Sequence, residues 1–390
     1  MSIKIELSQI LQNMPKYKFA ALTEKVRLMR KQGNVIIDCG VGDPQDPPPQ
    51  FVLDHMSKHS KMHSTSGYPN CAGNNDFLQA AANYMQNNYN VSLSPQDEIC
   101  STIGSKEAIF HLPTAIINPG DIVICPSPGY PGYYNGTIFA HGQPYLVPLL
   151  EENNFLMDID SIPDDIAKKA KIIWTNYPNS PTGVNASRSW LQRLIHWAHR
   201  HNIIIAADEG CYNDIYFDEK PTSILEIERE GIITFYSMSK RNNMTGYRVG
   251  FAAGDRRIIS GFVNMKNNVD SGTASCIQSA AAEALADNEH VAHMREQYRE
   301  KRNILLSALE AAGFETPQSH STFYLWIKAK DGDGMALTEQ FLQHNIVVTP
   351  GELISHNIGS FNPGKSFIRL AFINPMDEIK QIAKVIEKLK

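Results

Sequence analysis

The sequence predicts an α/β protein with a mostly parallel central sheet covered by helices on both faces, together with a smaller α+β domain. Three observations lead to this fold class. Between about residues 98 and 253, short continuous apolar runs alternate with segments of helical periodicity. After about residue 286, a long helical segment is followed by a few short strands. At 390 residues, the chain is also long enough for two domains.

Six apolar runs predict strands of the central sheet. They are rich in isoleucine, valine and alanine, which is typical of strands buried on both faces, and they cover residues 99–103, 122–125, 172–175, 203–206, 232–236 and 249–253. Helical periodicity between them predicts helices over residues 105–117 and 187–201. A Pro-Gly turn over residues 118–121 ends the first of these helices.

The C-terminal part predicts a smaller domain. A helix is expected over residues 288–312, strands over residues 323–327, 347–348 and 367–371, and a closing helix from Met376. Residues before about 45 are expected to join this part. The predicted domains are therefore a large one over residues 46–285 and a small one formed by residues 1–45 and 286–390, with the functional cleft between them.

Composition excludes several classes of partner. The net charge of −5 argues against nucleic acid or an anionic membrane surface as a partner. No apolar run reaches the roughly 18 residues of a membrane span.

The six cysteines are scattered and the N-terminus is charged, so we expect reduced thiols and a cytoplasmic location. His196, His199 and His201 lack cysteine or carboxylate partners at ligand spacing, and no metal site is predicted.

A lysine flanked by hydroxyl groups lies directly after the fifth predicted strand. The segment is Ser237-Met238-Ser239-Lys240, and Arg248 follows eight residues later. A lysine amine can form a Schiff base with an aldehyde, while hydroxyls and a guanidinium bind a phosphate dianion. The combination predicts a site for pyridoxal phosphate. For a Ser-Lys pair without other support, a solvated surface loop is the alternative.

A second phosphate-binding feature is predicted where the first strand ends and a helix begins. Gly104-Ser105-Lys106-Glu107 occupies this junction. Free backbone N–H groups and the positive end of the helix dipole favour an anion at such a place. Simple capping of the helix by Ser105 is the alternative, and the presence of Lys240 favours phosphate binding.

A carboxylate and two tyrosines complete the predicted cofactor site. Asp208 follows a buried strand, where it can hydrogen-bond a protonated pyridine nitrogen and keep the ring an electron sink. Tyr212 can hydrogen-bond the phenol oxygen of the ring. Tyr130, in a Pro-Gly-Tyr-Pro turn, can stack on the ring face, with ordinary packing as the alternative.

Arg369 is a charged residue within the apolar run Phe367-Ile368-Arg369-Leu370-Ala371. A buried arginine needs an anionic partner, and the carboxylate of a substrate accepts its guanidinium bidentately. A structural salt bridge is an equally good explanation from the spacing alone.

Together these motifs resemble the class I and II, fold-type I aminotransferases over nearly the whole chain. The matching segments are residues 38–44, 66–69 and 176–183 and those around Lys240 and Arg369. Residues 103–113, 118–121, 128–131 and 268–272 are most similar to bacterial LL-diaminopimelate aminotransferases. The Cys211-Tyr212 segment and residues 239–243 also resemble N-succinyl-diaminopimelate aminotransferases.

The resemblance implies a seven-stranded sheet and pyridoxal phosphate as the cofactor. It also implies transfer of an amino group between an amino acid, LL-diaminopimelate or its N-succinyl form, and a 2-oxo acid such as 2-oxoglutarate. Lys240 is implied as the Schiff-base lysine and proton shuttle. The implied phosphate ligands are the N–H groups of Ser105 and Lys106, with Ser237, Ser239 and Arg248. Tyr68 is implied to reach the phosphate of a neighbouring subunit in a homodimer with shared active sites. Gly42 and Arg369 are implied to receive the substrate carboxylate, and Tyr17 or Phe19 to close over it.

Two positions depart from the family pattern. The family usually has Asn directly before Pro-Thr-Gly, but this chain has Ser180, so the hydrogen bond to the ring is lost or Asn179 replaces it. The tyrosine usually follows the catalytic aspartate by three residues, whereas Tyr212 follows Asp208 by four. Either Gly210 is an insertion and Asp208 keeps its role, which we prefer because glycine is easily accommodated, or Glu209 takes it.

The sequence leaves three functional alternatives open. The enzyme could transaminate another amino acid, such as aspartate, alanine or an aromatic one. A pyridoxal phosphate β-lyase could use the same fold with nearly the same residues. The third alternative is a cofactor-binding regulator without turnover. The departure at Ser180 supports it, whereas Arg369 argues against it, because binding of the cofactor alone would not require this arginine.

Overall fold

The structure is a computed structural model that describes residues 3–14 and 20–389. Its helices are α1 (Gln9–Asn13), α2 (Ala20–Lys31), α3 (Gln50–Met62), α4 (Asn75–Tyr89), α5 (Ser105–Ile116), α6 (Pro131–Phe139), α7 (Asp164–Ala167), α8 (Arg188–His201), α9 (Met238–Arg241), α10 (Arg256–Lys266), α11 (Ser275–Ala286), α12 (Glu289–Ala311), α13 (Gly334–Gln343) and α14 (Met376–Ile386). Its strands are β1 (Ile37–Asp38), β2 (Ile99–Thr102), β3 (Ile122–Ser127), β4 (Gln143–Pro148), β5 (Ala170–Thr175), β6 (Ile204–Gly210), β7 (Ile232–Ser237), β8 (Gly250–Gly254), β9 (Tyr324–Lys328), β10 (Ile346–Val347), β11 (Thr349–Pro350) and β12 (Phe367–Ala371).

Seven strands form the central sheet, in the order β2-β8-β7-β6-β5-β3-β4. The five strands from β7 to β4 in this order pair in parallel. Only β8 runs against its neighbours β2 and β7. The predicted fold class, an α/β protein with a mostly parallel seven-stranded sheet, is confirmed.

Strand β4 is the one strand of this sheet that the periodicity of the sequence did not predict. It lies at the edge of the sheet, where only Val147 is fully buried. Pro144 and Pro148 interrupt its pattern, and proline is tolerated in a sheet chiefly at edges because it cannot donate a ladder hydrogen bond. Because β4 is partly exposed at the edge and contains two prolines, it lacks the continuous apolar run by which the other strands were recognised.

Alternate residues of the buried strands belong to two different cores. Ile173 and Ile205 lie in the core on one face of the sheet, whereas Ile172 and Trp174 lie in the core on the other face. Helices cover both faces, so consecutive residues are all apolar, as the parallel arrangement requires. No helix in the described residues combines the length and apolarity that crossing a bilayer would require.

A separate core surrounds a second, three-stranded antiparallel sheet with the order β11-β12-β9. The strand predicted over residues 347–348 is divided in the structure, since β10 pairs with β1 while β11 pairs with β12. The parallel pairing of Ile37 with Ile346 brings the N-terminal segment to this part. The core also takes in Tyr212 and Phe217, from the segment after β6. The exact domain boundaries stay a prediction.

The parallel strands place their carboxyl ends at one edge of the central sheet. Because β8 is antiparallel to both β2 and β7, β2 runs in the same direction as the parallel set. The residues that follow these strands therefore collect at one place, where open α/β sheets bind ligands. They include Ser105, Tyr130, Asn176 and Lys240, and they meet Asp208, which lies near the end of β6 itself.

Strand β6 contains a bulge at the point where it delivers Asp208. Between the paired positions Ala207–Thr234 and Gly210–Tyr236, β6 advances by one residue more than β7. The extra residue predicted from the Asp208–Tyr212 spacing is thus absorbed inside the strand. Only glycine fits at position 210 of this bulge. A Cβ atom there would lie 2.6 Å from the carbonyl oxygen of Phe235 and would overlap the ring of Tyr236.

Replacing Gly210 with alanine is expected to destabilise the protein by about 1–3 kcal/mol, since backbone and a buried ring must move to admit the methyl group. Chemical denaturation would measure the change. Gly261→Ala in α10 is the matched control, because a Cβ atom at Gly261 has no heavy atom within 4 Å, and it should be neutral or stabilising by up to about 1 kcal/mol. Equal effects at both positions would contradict the role of the bulge.

Candidate active site

A cavity of about 290 Å³ lies at the carboxyl edge of the central sheet. Twelve residues predicted from the sequence line it, namely Gly42, Ser105, Lys106, Tyr130, Ser180, Asp208, Tyr212, Ser237, Ser239, Lys240, Arg248 and Arg369. Tyr68 and Tyr17 are the other two residues of the prediction. Tyr68 is 93% exposed on the surface of the single chain, and Tyr17, with its alternative Phe19, lies outside the described residues.

The start of α5 and the guanidinium of Arg248 form one side of this cavity. Gly104 precedes the helix with a φ of +70°, and a Cβ atom there would lie 2.5 Å from Nη2 of Arg248. Arg248 is itself held by donation from Nη1 to the carbonyl oxygen of Thr245, at 2.7 Å. A cation and the first-turn N–H groups of Ser105 and Lys106 thus lie side by side, which is an arrangement suited to a phosphate.

Two buried serines extend this anion-binding side. Ser237 ends β7, and its hydroxyl accepts a hydrogen bond of 3.2 Å from the backbone N–H of Ser239. This short cap turns the chain into α9 and leaves both serines lining the cavity. The same turn carries Lys240 into the cavity shortly after β7 ends.

The amine of Lys240 is largely enclosed and donates a hydrogen bond to the carbonyl oxygen of Gly42. Burial lowers the pKa of this amine, and the positive charges of Arg248 and Arg369 act in the same direction, against Cys211 and Asp43. A larger fraction of the lysine is therefore neutral than for an exposed lysine. The neutral amine is the nucleophilic form.

Asp208 presents one hydrogen-bonded and one free carboxylate oxygen. Oδ2 accepts a hydrogen bond of 2.7 Å from the hydroxyl of Tyr133, whereas buried Oδ1 has no partner among the described residues. Burial raises the pKa of Asp208 to about 6, against the opposing effects of the Tyr133 hydroxyl and the Cys211 thiol. A buried oxygen without a donor is costly, so this position calls for a donor that arrives with a ligand.

Glu209 points to the opposite side of β6 and does not line the cavity. It accepts hydrogen bonds from the hydroxyls of Ser223 and Tyr236 and from the backbone N–H of Ile224. Burial raises the pKa of Glu209 to about 7. Of the two carboxylates that the sequence left as alternatives, the geometry presents only Asp208 to the cavity.

Ser180 occupies the position where the family usually has asparagine. It lines the cavity, and its backbone N–H donates to Oδ1 of Asn176 at 2.9 Å. The side chain of Asn179 is buried inside the turn, where Oδ1 accepts from Thr182 and Nδ2 donates to Asn176. Asn179 therefore does not reach the cavity.

Arg369 lies at the end of the cavity formed by the three-stranded sheet. Its Nη2 donates to the carbonyl oxygen of Gly40 at 2.8 Å, and the guanidinium lies 4.5 Å from the centre of the Tyr324 ring. Its buried Nε has no partner, and the described residues provide no ion pair for it. The alternative of a structural salt bridge at Arg369 thus has no acidic side chain to support it.

Tyr324 connects this end of the cavity to the cofactor side. Its hydroxyl accepts a hydrogen bond of 3.2 Å from the hydroxyl of Tyr212. The same hydroxyl leaves no room for a Cβ atom at position 42, which explains the glycine there. Gly42, Tyr324 and Arg369 therefore form one packed group.

Sequence reasoning missed four residues of the site: Tyr133, Asn176, Cys211 and Tyr324. Tyr133 could have been found from the repeated Pro-Gly-Tyr of residues 128–133, whose second tyrosine is one helical turn from Tyr130. Cys211 has its thiol 3.3 Å from the hydroxyl of Ser105, and burial raises its pKa well above the usual range, so the thiol stays protonated. No local signal marks Tyr324.

These residues fit pyridoxal phosphate on two observations of the structure. The free Oδ1 of Asp208 suits the N–H of a protonated pyridine ring. The space that a side chain at Gly104 would fill lies beside Arg248 and the start of α5, where a phosphate is favoured.

Several known proteins are similar to this chain over nearly its whole length. The LL-diaminopimelate aminotransferase of Aquifex aeolicus is 42% identical over 391 residues, with 99% of each chain covered. A substrate-bound structure of BacF from Bacillus subtilis shares 31% identity with a TM-score of 0.90, covering 100% of this chain and 98% of that one. A probable N-succinyldiaminopimelate aminotransferase of Thermus thermophilus shares 28% identity with a TM-score of 0.88, covering 95% and 99%.

The family model for aminotransferase class I and II matches residues 34–386. That span includes every residue of the cavity described above. The chain belongs to the class I and II aminotransferases, and it is a pyridoxal phosphate-dependent transaminase.

Proposed function

We propose that this enzyme transfers an amino group from LL-diaminopimelate, or its N-succinyl form, to a 2-oxo acid such as 2-oxoglutarate. The observation that carries the proposal is the full-length similarity to proteins named LL-diaminopimelate aminotransferase, at 42% and 38% identity. The cavity supports it, because an enclosed lysine, a half-paired buried aspartate and an arginine without an acidic partner meet there.

The proposed cofactor site divides into a phosphate part and a ring part. The backbone N–H groups of Ser105 and Lys106, with Ser237, Ser239 and Arg248, would hold the phosphate. Bound pyridoxal phosphate supplies an aldehyde that condenses with amines and a ring that withdraws electrons.

On the ring side, Oδ1 of Asp208 would accept the pyridine N–H and hold its proton in place. Tyr133 orients Asp208 through Oδ2. Tyr130 would pack on the ring, and Tyr212 would face the phenol oxygen. Ser180 is shorter than the usual asparagine, so we expect Tyr212 to be the main donor to that oxygen.

Lys240 has two proposed tasks. Its amine would hold the cofactor by condensing with the aldehyde. When unattached, its neutral Nζ would accept the proton of the substrate α-carbon and hold it for return. The lowered pKa of Lys240 suits this task, because a fully protonated lysine could not accept a proton.

The substrate carboxylate is proposed to bind Arg369 and Gly42. The unpaired Nε of Arg369 and its remaining donors match a carboxylate. Tyr324 holds the guanidinium from one face, so the group loses little conformational freedom on binding. Closure by Tyr17 stays a prediction.

We also propose a homodimer in which Tyr68 completes the partner's site. Its almost complete exposure in the single chain supports this, since a large aromatic side chain at that exposure is well placed for an interface. Sedimentation equilibrium would show a dimer, and a monomer at micromolar concentration would exclude the shared site.

A cytoplasmic location is proposed from the cysteines. All six, each within the described residues, carry free thiols, which suits a reducing compartment. Cell fractionation with an antibody to the protein would test this, and recovery outside the cytoplasmic fraction would contradict it.

Single-turnover spectroscopy tests the substrate. The holoenzyme would be mixed separately with LL-diaminopimelate, its N-succinyl form, glutamate, aspartate, alanine and cysteine. We expect one of the two diaminopimelate donors to remove the visible band of the bound cofactor and 2-oxoglutarate to restore it. Faster loss of the band with another donor would identify that amino acid as the substrate of the transaminase. Release of pyruvate or ammonia would indicate a β-lyase. No spectral change with any donor would favour the non-catalytic regulator.

Lys240→Ala is expected to reduce turnover by roughly 10²–10⁴-fold or more, because both the attachment point and the proton carrier are lost. Borohydride treatment followed by peptide mass spectrometry should locate the cofactor on Lys240 in the native enzyme and in Lys106→Ala, but find no linked cofactor in Lys240→Ala. Lys106→Ala is the matched control, since the exposed Lys106 side chain is not the group proposed to bind. A reduced cofactor link in Lys240→Ala would refute the assignment.

Asp208→Asn is expected to lower kcat/KM roughly 10- to 100-fold and to weaken cofactor affinity, because a charged hydrogen bond is worth about 1.5–3 kcal/mol. Glu209→Gln should leave cofactor affinity unchanged, since Glu209 contacts Ser223 and Tyr236 instead. Equilibrium dialysis of cofactor and steady-state kinetics would separate the two. The reverse result would give the role to Glu209.

Arg369→Ala is expected to raise KM for the amino and the 2-oxo acid roughly 100-fold, because a charge-assisted pair is lost. A decarboxylated amine offered as donor should react with both enzymes at similar rates, since it has no carboxylate to bind. An unchanged KM for the amino acid would show that Arg369 is structural.

A further inference from the structure

A row of three histidines lies along one face of α3 and its end. His55, His59 and His63 are spaced by four residues, which places them on one face of a helix. Their rings follow one another with centroids 6.0 Å and 6.2 Å apart. The row packs toward α11, where Ser279 and Glu283 are likewise four residues apart.

The hydrogen-bond partners distinguish His63 from the other two. Nδ1 of His63 lies 3.0 Å from the hydroxyl of Ser66, and Nε2 lies 3.2 Å from that of Ser279. His59 is only 8% exposed, and neither of its ring nitrogens has a partner among the described residues. Nδ1 of His55 is also buried without a hydrogen bond. Buried polar atoms are rarely left in this condition, so a missing partner is indicated.

A third ligand reaches the same place from α11. Oε1 of Glu283 lies 3.8 Å from Nδ1 of His55. One ligand atom from each of His55, His59 and Glu283 lies within 4.8 Å of the others. Two histidines one turn apart on a helix with a glutamate from another element form a donor set that binds Zn²⁺.

The chemistry of the donors selects the class of ion. Imidazole nitrogens suit Zn²⁺, Ni²⁺ and Co²⁺, whereas Mg²⁺ and Ca²⁺ prefer oxygen ligands. The side chain of Glu283 is 46% exposed, so the cluster opens to solvent on that side. An ion could enter there and keep a water molecule as its fourth ligand.

We propose that His55, His59 and Glu283 bind a divalent transition-metal ion of the Zn²⁺ type that links α3 to α11. The site lies outside the cofactor cavity. The chain after α3 leads to Tyr68, and the residue Thr273 just before α11 donates a hydrogen bond of 3.0 Å to the carbonyl oxygen of Arg248. An ion here would therefore brace the two helices next to segments that serve the active site.

The sequence analysis predicted no metal site, and the cluster shows why. His55 and His59 by themselves do not complete a ligand set, and the carboxylate of Glu283 belongs to α11, a helix far along the chain. Only the packing of α3 against α11 brings the three side chains together.

Titration of the chelator-treated holoenzyme with Co²⁺ tests the proposal. We expect one Co²⁺ per chain with the intense visible absorption of a low-coordinate site, displaced by an equivalent of Zn²⁺. Loss of a residue that only hydrogen-bonds a metal ligand weakens metal binding roughly 10- to 100-fold. His59→Gln and Glu283→Gln each remove a ligand itself, so they should weaken Co²⁺ binding more than that. His196→Gln, at an exposed histidine of α8, is the matched control and should bind as the native enzyme does.

Thermal unfolding supplies an independent measurement. Zn²⁺ should raise the Tm of the native enzyme and of His196→Gln, because an ion that binds only the folded state stabilises it, but not the Tm of Glu283→Gln. The side chain of Glu283 is 46% exposed, far more than that of His59, so this variant keeps the proposal testable if His59→Gln fails to fold. Absence of binding to the native enzyme, or equal affinity in native enzyme and Glu283→Gln, would overturn the site. Neither measurement depends on transaminase activity.

Discussion

The buried carboxylate of Asp208 is the constraint around which the active site is organised. Removing a carboxylate from water is costly unless donors replace the lost hydration, and Tyr133 compensates only Oδ2. The raised pKa of Asp208 reflects this incomplete compensation. The free oxygen faces the cavity, so the protein holds in advance the acceptor that a protonated pyridine ring requires. Because Glu209 is fully satisfied on the other side of β6, the two adjacent carboxylates serve different purposes.

Buried polar atoms without hydrogen-bond partners occur at more than one candidate binding site in the described residues. Oδ1 of Asp208 and Nε of Arg369 lie at opposite ends of one cavity, where cofactor and substrate bring complementary groups. His59 repeats the pattern in a second place, between α3 and α11. A folded protein loses stability for each such atom. A bound ligand would remove this cost at these positions, and the chemistry of the neighbouring groups indicates which ligand.

Most of the fold could be predicted because periodicity is local. The buried strands were recognised from continuous apolar runs, and α8 from its helical periodicity. In the structure the hydroxyl of Ser187 also caps α8 by accepting a hydrogen bond from the N–H of Trp190. Strand β4 was missed because its edge position and prolines remove the signal. In the site, motif residues such as Lys240 and Asp208 were found, whereas Tyr133 and Tyr324 were not, since their roles arise from contacts with distant segments.

Local patterns predicted the fold class, the cofactor, a candidate lysine and a candidate arginine, and one extra residue between Asp208 and Tyr212. Each of these depends on neighbours in the chain or on a motif whose chemistry is contained within a few residues. The choice between Asp208 and Glu209, the burial of Asn179 inside its own turn, and the meeting of α3 with Glu283 depended on three-dimensional packing. Adjacent residues of a strand point to opposite faces, so the face that each carboxylate meets depends on how β6 packs in the sheet. Contacts between distant helices have no signature in either segment alone.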